Sequence, residues 1–342
     1  MTPYRLLRPL LFGLPPERAH GLALSALRVA GRVLPARVPS DDPVSLMGLR
    51  FPNRVGLAAG FDKNGIAVNG AGVLGAGFIE VGTVTPLPQA GHERPRVFRF
   101  PEARALVNRS GFPNEGADAC ARRLRRHRRY DGLVGLSIGK NAATPLERAT
   151  DDYVACLRAV HEVADFVVIN ISSPNTAQLR ELHGRERLEP LLTAMLAERA
   201  RLLAGSTRAL PLALKLSPDL DGATVDDVAR VLLQAPMDGV VATNTTVSRE
   251  GAPRAQGLAG GLSGAPLHES AICVVRRLRR SLGPAFPVIG CGGILSPDDA
   301  LAFRTAGADL VQVYTGLIYA GPRLIRDCVS RLAASPPISS RE

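Results

Sequence analysis

The sequence lacks any long apolar segment. No run of about 18 uncharged apolar residues occurs in its 342 residues, so no transmembrane helix is predicted. The first residues, MTPYRLLRPLLFGLPPER, combine basic residues with a short apolar run, but proline interrupts that run and no small-x-small cleavage site follows. We therefore expect no secretory signal peptide. With 46% apolar and 21% charged residues, the composition is typical of a soluble globular protein.

Patterns that bind metals or form disulfides are also missing. The five cysteines are scattered with no CxxC pair, and the six histidines show no metal-ligand spacing. Reduced thiols in the cytoplasm are the simplest interpretation. The net charge of +11 could attract nucleic acid, anionic lipid or an anionic substrate. Because this charge is spread along the chain, a solvated basic surface is the favoured interpretation.

Lysine and asparagine are scarce. Only three of the 42 basic residues are lysine: Lys63, Lys140 and Lys215. Since this sequence uses arginine for most cations, the remaining lysines indicate sites that need a compact ammonium group. Nine residues are asparagine, and Asn170, Asn175 and Asn244 lie beside predicted strand ends.

From residue 54 onwards, short apolar segments alternate with helical patterns. Eight strands are predicted, at 54–59, 78–82, 133–138, 166–171, 211–216, 239–243, 287–291 and 308–313. Helical patterns lie between them at 151–163, 186–204, 223–235, 266–282 and 296–306. The alternation predicts an α/β fold, a (β/α)8 TIM barrel of parallel strands. An open doubly wound sheet is the alternative, which the missing GxGxxG turn after the first strand weakens.

The barrel is predicted to span residues 44–334, after an N-terminal helical extension at 1–43. The extension reads as two amphipathic helices broken at GLPP, the second at about 16–34. Residues 96–112 are predicted to form an inserted hairpin beside the barrel mouth. Residues 335–342 are expected to be a disordered tail.

The stretch VVINISSPNT, residues 167–176, begins as a buried strand and ends in amides and hydroxyls. Other predicted strands end in the polar or glycine-rich segments GFDKNG, GTVTP, GKN, KLSPD, TNTT, GCGGI and YTG. The active site of a (β/α)8 barrel lies at these ends, so they indicate a ligand site. GCGGI and YTG, after strands seven and eight, can present backbone N–H groups to a phosphate, although glycine could also serve tight turns alone.

Individual side chains suggest what this ligand site holds. Lys215 interrupts the apolar strand LALKL, so it needs a structural ion-pair partner or a ligand, for example a flavin ring whose reduced anionic form it would stabilise. Asn170, Asn175 and Asn244 suit a planar ligand with alternating C=O and N–H groups, such as a pyrimidine dione, although asparagine is also common in turns. Lys63 could bind a ligand carboxylate or be a surface lysine at a helix start.

Nine motifs in order resemble one family. They are GLAAGFDKNG, GFIEVGTVTP, NRSGFPNEG, NISSPNT, ALKLSPDL, VVATNTT, GGLSG, VIGCGGI and LVQVYTG. Together they resemble dihydroorotate dehydrogenases of the quinone-linked, membrane-associated class 2, over residues 15–327. The resemblance implies an oxidoreductase acting on a CH–CH bond. It would oxidise (S)-dihydroorotate to orotate in de novo pyrimidine (UMP) biosynthesis, with FMN as hydride acceptor and a membrane quinone as final acceptor.

The resemblance also assigns roles to residues. Ser173 would be the catalytic base, where the soluble class has cysteine, and Thr176 and Phe112 would flank a water path that relays its proton. Pro174 would fix the loop that presents Ser173. Substrate contacts would come from Lys63, Asn108, Arg109, Ser110, Gly111, Phe112, Asn170, Asn175, Asn244 and Thr245. FMN contacts would come from Ala59, Gly60, Phe61, Asp62, Lys63, Thr83, Ser137, Asn170, Lys215, Thr243, Gly264, Gly293, Tyr314 and Thr315. Ser137 departs from the family's usual asparagine and offers a shorter donor to the flavin.

The N-terminal helices have two interpretations: a cap on the barrel, or the family's membrane-surface hood that admits quinone to the flavin. The second implies a peripheral protein on the cytoplasmic face of the cell membrane, with no nucleic-acid partner. Three rival functions remain. A tRNA dihydrouridine synthase would suit the net charge but needs a cysteine acid that NISSPNT lacks. A colourless, membrane-bound scaffold is the second rival. A soluble dihydroorotate dehydrogenase is the third, which Ser173 and the N-terminal extension argue against.

Overall fold

The computed structural model of the protein describes residues 3–34 and 38–335 and contains a closed barrel of eight parallel strands. The strands are β1 (Val55–Leu57), β2 (Phe78–Val84), β3 (Leu133–Ile138), β4 (Phe166–Asn170), β5 (Leu212–Leu216), β6 (Gly239–Ala242), β7 (Val288–Cys291) and β8 (Leu310–Val313). Each pairs with its neighbours in sequence, and β8 closes on β1 with Val311 opposite Val55. The predicted TIM barrel is confirmed, and all eight predicted strands are present.

Helices surround the barrel and bury an apolar layer against it. In chain order they are α1 (Pro3–Gly13), α2 (Pro16–Val33), α3 (Val68–Leu74), α4 (Ala117–His127), α5 (Ala149–Val160), α6 (Arg185–Leu202), α7 (Gly222–Gln234), α8 (His268–Leu282), α9 (Pro297–Ala306), α10 (Thr315–Ala320) and α11 (Leu324–Ala333). The two predicted N-terminal helices are α1 and α2, separated at the GLPP proline pair. Proline ends a helix and also starts one well, because its fixed φ suits the first turn.

The interior of the barrel changes character along its axis because side chains alternate along each strand. At the amino-terminal end, a hairpin of strands Val44–Leu46 and Leu49–Phe51 brings Phe51 against Phe78 and Phe166, with ring centroids 5.4 and 6.2 Å away. Two residues further along the barrel strands, the inward positions become polar. They are Glu80, Asn170, Lys215, Thr243, Cys291 and Gln312. An apolar plug therefore supports a polar floor.

A small antiparallel sheet, the side sheet, lies beside the barrel mouth. The predicted hairpin at 96–112 forms strands Val97–Phe100 and Ala105–Asn108. A third strand, Gly261–Gly264, pairs with Ala105–Asn108 and was not predicted. Its four residues, GLSG, carry too little β-branched or aromatic character to signal a strand.

The N-terminal helices α1 and α2 are tied to this sheet. The Arg99 guanidinium donates to Leu11 O at 3.1 Å and Phe12 O at 3.2 Å, and it also bonds Leu14 O. Leu11 and Phe12 lie at the end of α1 and Leu14 just beyond it, where helical partners run out. Glu17 at the start of α2 accepts from Arg96 Nε at 2.9 Å. Residues 35–37 of the predicted extension and 336–342 of the predicted tail lie outside the described residues.

Candidate active site

A cavity of about 1130 Å³, counted to its open mouth, lies at the carboxyl ends of the strands. It is large enough for a cofactor and a small substrate together. Among the predicted site residues, its walls contain Ala59, Gly60, Lys63, Thr83, Asn108, Ser110, Gly111, Phe112, Asn170, Ser173, Asn175, Lys215, Thr243, Asn244, Thr245, Gly264, Gly293, Tyr314 and Thr315. Residues up to 256 positions apart in sequence, Ala59 and Thr315, thus meet in one place.

The polar end of β4 forms part of this wall. Ser173 is 5% exposed, and its Oγ accepts a hydrogen bond from Asn175 N at 3.2 Å. The neighbouring Ser172 is fully buried, and its hydroxyl donates to Asn170 Oδ1 at 3.0 Å and accepts from Asn244 Nδ2 at 3.0 Å. Ser172 is therefore fixed within the wall, whereas the next residue, Ser173, lines the cavity.

Four asparagines surround the cavity as two hydrogen-bonded pairs. Asn244 Nδ2 lies 3.4 Å from Asn170 Oδ1, and Asn175 Nδ2 donates to Asn108 Oδ1 at 3.1 Å. Asn170 Nδ2 also donates to Thr83 Oγ1 at 2.8 Å. Each amide has both a donor and an acceptor. The pairs can therefore exchange their mutual hydrogen bonds for bonds to a ligand with C=O and N–H groups in one plane.

The cavity floor contains a buried ion pair. Lys215 Nζ lies 3.1 and 3.3 Å from the two Glu80 carboxylate oxygens, and Gln312 Nε2 donates to Glu80 Oε2 at 2.8 Å. Burial alone would lower the pKa of Lys215, but the Glu80 carboxylate outweighs this effect and the pKa is raised. Lys215 is therefore a permanent cation beneath the ligand site.

The floor and rim of the cavity fit a flavin. Gln312 Oε1 is buried and has no hydrogen-bond partner in the described part of the chain, which leaves an acceptor for a ligand N–H. Gly264 and Gly293 have φ of +103° and +67°. A Cβ on Gly264 would lie 2.2 Å from Arg104 O, and one on Gly293 would lie 2.7 Å from His268 N. Only glycine fits there, and its backbone stays open to a phosphate.

Lys63 lines the cavity from the loop after β1, where its Nζ donates to Gly60 O at 2.7 Å. Burial and the charge of Arg96 lower its pKa to about 8, although Asp62 and Glu17 act in the other direction. An anionic ligand would supply the counter-charge that this ammonium group lacks.

Five predicted contact residues do not line the cavity: Phe61, Asp62, Arg109, Ser137 and Thr176. Arg109 points to the surface, where Nη2 donates to Pro95 O at 3.0 Å. Asp62 turns inward to accept from Ala67 N at 2.7 Å, which orders the loop that carries Lys63.

Phe61 and Ser137 contact residues that do line the cavity. The Phe61 ring packs edge-on against Tyr314, with centroids 6.0 Å apart. The Ser137 hydroxyl lies 2.9 Å from Thr83 Oγ1. This hydroxyl is too short to reach past Thr83 as an asparagine amide could. The Thr176 hydroxyl makes no direct hydrogen bond with Ser173 among the described residues, so a relay between them needs water.

Other residues of the wall were not assigned individually from the sequence. Cys291, Gly292, Ile294 and Gly316 lie in the predicted segments GCGGI and YTG, whereas Ala58, Val97, Leu106, Ser263, Leu267 and Gln312 were missed. Gln312 had a usable signal, because a buried amide inside the apolar strand LVQV needs a polar partner. Val97 and Leu106 had none, since their place in the wall depends on how the side sheet docks.

A barrel whose strand ends hold a serine, paired amides and a buried lysine around one cavity is an enzyme of the TIM-barrel class. The dihydroorotate dehydrogenase family profile matches residues 43–335. A dihydroorotate dehydrogenase (quinone) from Aromatoleum aromaticum is 52% identical over 332 residues, covering 95% of this chain and 94% of that protein. One from Herminiimonas arsenicoxydans is 50% identical, covering 97% and 98%.

Solved structures are similar as well. The DHODH from Eimeria tenella in complex with ferulenol superposes with a TM-score of 0.86 at 35% identity, covering 94% of this chain and 93% of that chain. The chain belongs to the dihydroorotate dehydrogenase family. Members of this family are flavin-dependent oxidoreductases.

Proposed function

We propose that this protein oxidises (S)-dihydroorotate to orotate with FMN as hydride acceptor and passes the electrons to a membrane quinone, as a step of de novo pyrimidine biosynthesis. The observation that carries the proposal is the position of Ser173 in one cavity with four asparagine amides above the Lys215 ammonium group. A pyrimidine dione offers the alternating C=O and N–H groups that these amides can bind. The family relatives named as quinone-dependent support the final acceptor.

Substrate binding uses the amides and Lys63. Asn108, Asn175 and Asn244 exchange their mutual hydrogen bonds for bonds to the pyrimidine ring. The Lys63 ammonium group pairs with the substrate carboxylate, which restores the charge balance that burial disfavours. Ser110, Gly111 and Phe112 cover the ligand from the loop that follows the side-sheet hairpin. Thr245 completes the binding wall beside Asn244.

Ser173 is the proposed base. Its Oγ removes a proton from one ring carbon while the adjacent carbon loses a hydride, so a C=C bond forms between the two carbons. The Ser173 hydroxyl must lose its own proton during this step, because an un-ionised serine is a weak base. Thr176 and Phe112 are the proposed borders of a water path that takes this proton to solvent. The Asn175 N–H donates a hydrogen bond to Ser173 Oγ and stabilises the negative charge that develops on this oxygen.

FMN supplies a two-electron acceptor when bound. The residues proposed to hold it are Ala59, Gly60, Thr83, Asn170, Lys215, Thr243, Gly264, Gly293, Tyr314 and Thr315. Lys215 opposes the negative charge that accompanies reduction, and its pairing with Glu80 keeps it protonated for that purpose. Gly264 and Gly293 leave room for the phosphate, and Thr315 supplies a hydroxyl close by.

The helices α1 and α2 are the proposed contact with the membrane surface and the entry for quinone. Leu6, Leu10 and Val33 are 71%, 72% and 72% exposed. Such outward-facing leucine and valine side chains beside arginines fit an interfacial helix. The His20 ring on α2 packs on Phe61 with centroids 5.6 Å apart, and Phe61 packs on Tyr314 in the cavity wall. A chain of three contacting rings thus connects α2 to the cavity wall.

This contact is peripheral in the proposal, on the cytoplasmic face of the cell membrane. Within residues 3–34 and 38–335, no helix has both the length and the apolar character to cross a bilayer.

The visible spectrum of the purified protein under anaerobic conditions tests this proposal. A yellow protein whose flavin band bleaches with dihydroorotate, and recovers with a soluble quinone, is the expected result. A yellow protein that does not bleach would contradict the substrate and favour another flavin barrel, such as a tRNA-modifying enzyme. A colourless protein that does not take up FMN would remove the redox function altogether.

A further inference from the structure

Three loops at the carboxyl ends of the barrel strands, two of which line the cavity, meet at one arginine that does not line it. Arg180 lies in a short 3-10 helix, Leu179–His183, that follows the loop carrying Ser173. Its Nε donates to Ser172 O at 3.2 Å, and its Nη2 donates to Thr245 O at 3.1 Å. Its Nη1 donates to Asp219 Oδ2 at 2.7 Å. One guanidinium group therefore joins the loops after β4, β5 and β6.

Asp219 extends the same contacts. Its Oδ1 accepts a hydrogen bond from the Thr246 hydroxyl, and its Oδ2 accepts from Val247 N at 2.9 Å. The ion pair thus holds the loop after β6 from Thr245 to Val247. Charge-assisted hydrogen bonds of this kind are stronger than those between neutral groups, so they can fix loops that would otherwise move.

His183 fixes the other end of the 3-10 helix. Burial lowers its pKa to about 4, so the ring is neutral near pH 7. Its Nδ1 lies 2.8 Å from Arg180 O, and its Nε2 lies 3.4 Å from Ser217 N. A neutral ring with its proton on Nδ1 donates to the first and accepts from the second. The backbone of Arg180 is therefore held against the loop after β5.

The contact with Ser172 O bears directly on the reaction. Ser172 precedes the proposed base, and its hydroxyl is already bonded to Asn170 and Asn244. Arg180 binds the remaining carbonyl, so Ser172 is held on both sides while Ser173 projects into the cavity. The base must lie within about 3–3.5 Å of the substrate carbon, and a 1 Å displacement can reduce a rate by about 100-fold.

We propose that Arg180 is a positioning residue that holds the Ser173 loop against the Thr245 loop in the geometry needed for proton removal. This inference rests on the proposed function. Three acceptors in three directions require the planar fork of arginine, and a lysine ammonium group on a flexible stem does not replace it. The effect is specific to the step that uses Ser173. Cofactor binding and quinone reduction depend on other residues.

Arg199 and Asp238 provide a matched control. Their side chains are 20% and 30% exposed, close to the 24% and 21% of Arg180 and Asp219. They pair at the opposite end of the barrel, where Asp238 Oδ2 also accepts from Leu212 N. Arg199→Met therefore removes a comparable ion pair without touching the cavity.

The test measures the two half-reactions separately by anaerobic stopped flow, using the FMN-loaded protein. We expect Arg180→Met to slow flavin reduction by dihydroorotate about 100-fold. Reoxidation by a soluble quinone should stay within about twofold of the wild-type rate, and the orotate Kd within about threefold, because the four asparagines remain. Arg180→Lys should remain slow, and Arg199→Met should leave both half-reactions at the wild-type rate.

Hydrogen exchange of the protein before FMN loading gives a readout without turnover. Backbone amides of residues 171–178 should exchange faster in Arg180→Met than in wild type. In Arg199→Met their exchange rates should equal those of wild type. A wild-type reduction rate in Arg180→Met or Arg180→Lys would overturn the inference, as would equal slowing of both half-reactions. Wild-type flavin that dihydroorotate does not reduce would instead overturn the proposed function and, with it, this inference.

Discussion

Lys215 and Glu80 face each other inside the barrel, with Nζ 3.1 Å from Oε2 and both side chains almost completely buried. Each charge depends on the other, because removing one partner of a buried ion pair leaves an uncompensated charge away from water. The pair therefore links the stability of the barrel to the charge that the flavin would meet.

A double-mutant cycle separates what the ion pair contributes to the stability of the barrel from what the Lys215 charge contributes to flavin reduction. Glu80→Met should lower the free energy of unfolding by about 3–5 kcal/mol, since it leaves Lys215 buried and unpaired. Glu80→Met combined with Lys215→Met should recover most of that loss, measured by urea unfolding. The double variant should still fail to reduce flavin at the wild-type rate, because the ammonium group is absent. Additive losses in the double variant would contradict the coupling.

Ser173→Ala tests the base. The variant should keep its yellow colour and bind orotate, because the hydroxyl contributes little to either. Flavin reduction should slow by about 100- to 10,000-fold, the usual contribution of a general base. Ser172→Ala is the comparison, since it removes a hydroxyl that is bonded inside the wall. If Ser173→Ala reduces flavin at the native rate in anaerobic stopped flow, the assignment of the base is wrong.

Lys63 should make orotate binding depend on pH. Its pKa of about 8 in the ligand-free protein means that the ammonium group is lost as the pH rises through 8. Orotate affinity should then fall by about tenfold per pH unit above 8, because the charged form is the one that binds a carboxylate. Spectral titrations from pH 6 to 9.5 measure this.

Lys63→Arg is the control for that titration. The guanidinium group stays charged throughout, so affinity should no longer fall above pH 8 through this group. Any titration of the ligand itself appears equally in both proteins. Identical pH profiles for wild type and Lys63→Arg would remove Lys63 from carboxylate binding.

The proposed membrane contact of helices α1 and α2, here called the hood, can be tested through its exposed side chains. Deleting residues 1–40 should spare bleaching by dihydroorotate and abolish quinone reduction, but it also uncovers α3. A triple variant, Leu6→Ser, Leu10→Ser and Val33→Ser, should leave α2 packed and weaken binding to anionic vesicles by about tenfold or more. Leu233→Ser, which changes an exposed leucine on the barrel, should bind vesicles as wild type does. Unchanged vesicle binding in the triple variant would place the membrane contact elsewhere.

Local sequence patterns predicted the strands and helices well, because apolar runs and helical periodicity report burial directly. They also placed Lys215 and Asn170 in the barrel interior. They did not reveal that Glu80 is the partner of Lys215, since 135 residues separate the two and only barrel closure brings them together. Arg180 was missed for a similar reason. Its three acceptors come from three loops, two of them backbone carbonyls that every residue possesses.

Departures from prediction also have physical causes. Arg109 belongs to the motif NRSGF, yet its guanidinium group donates to Pro95 O and lies 5.6 Å from the Phe98 ring centroid. A long cationic side chain reaches solvent and nearby carbonyls more easily than it fills a narrow cavity. The order of residues in a motif fixes the backbone position, whereas the local surroundings decide where a flexible side chain goes.

The phenylalanines around Phe51 fill the barrel at its amino-terminal end, so the interior is a blind chamber. Every molecule that reaches the floor must enter and leave on the side of the loops and the hood. Orotate must therefore leave through the same opening by which the next dihydroorotate enters. Accumulated product competes with substrate for this opening. Release of product and entry of substrate are therefore successive steps at one opening.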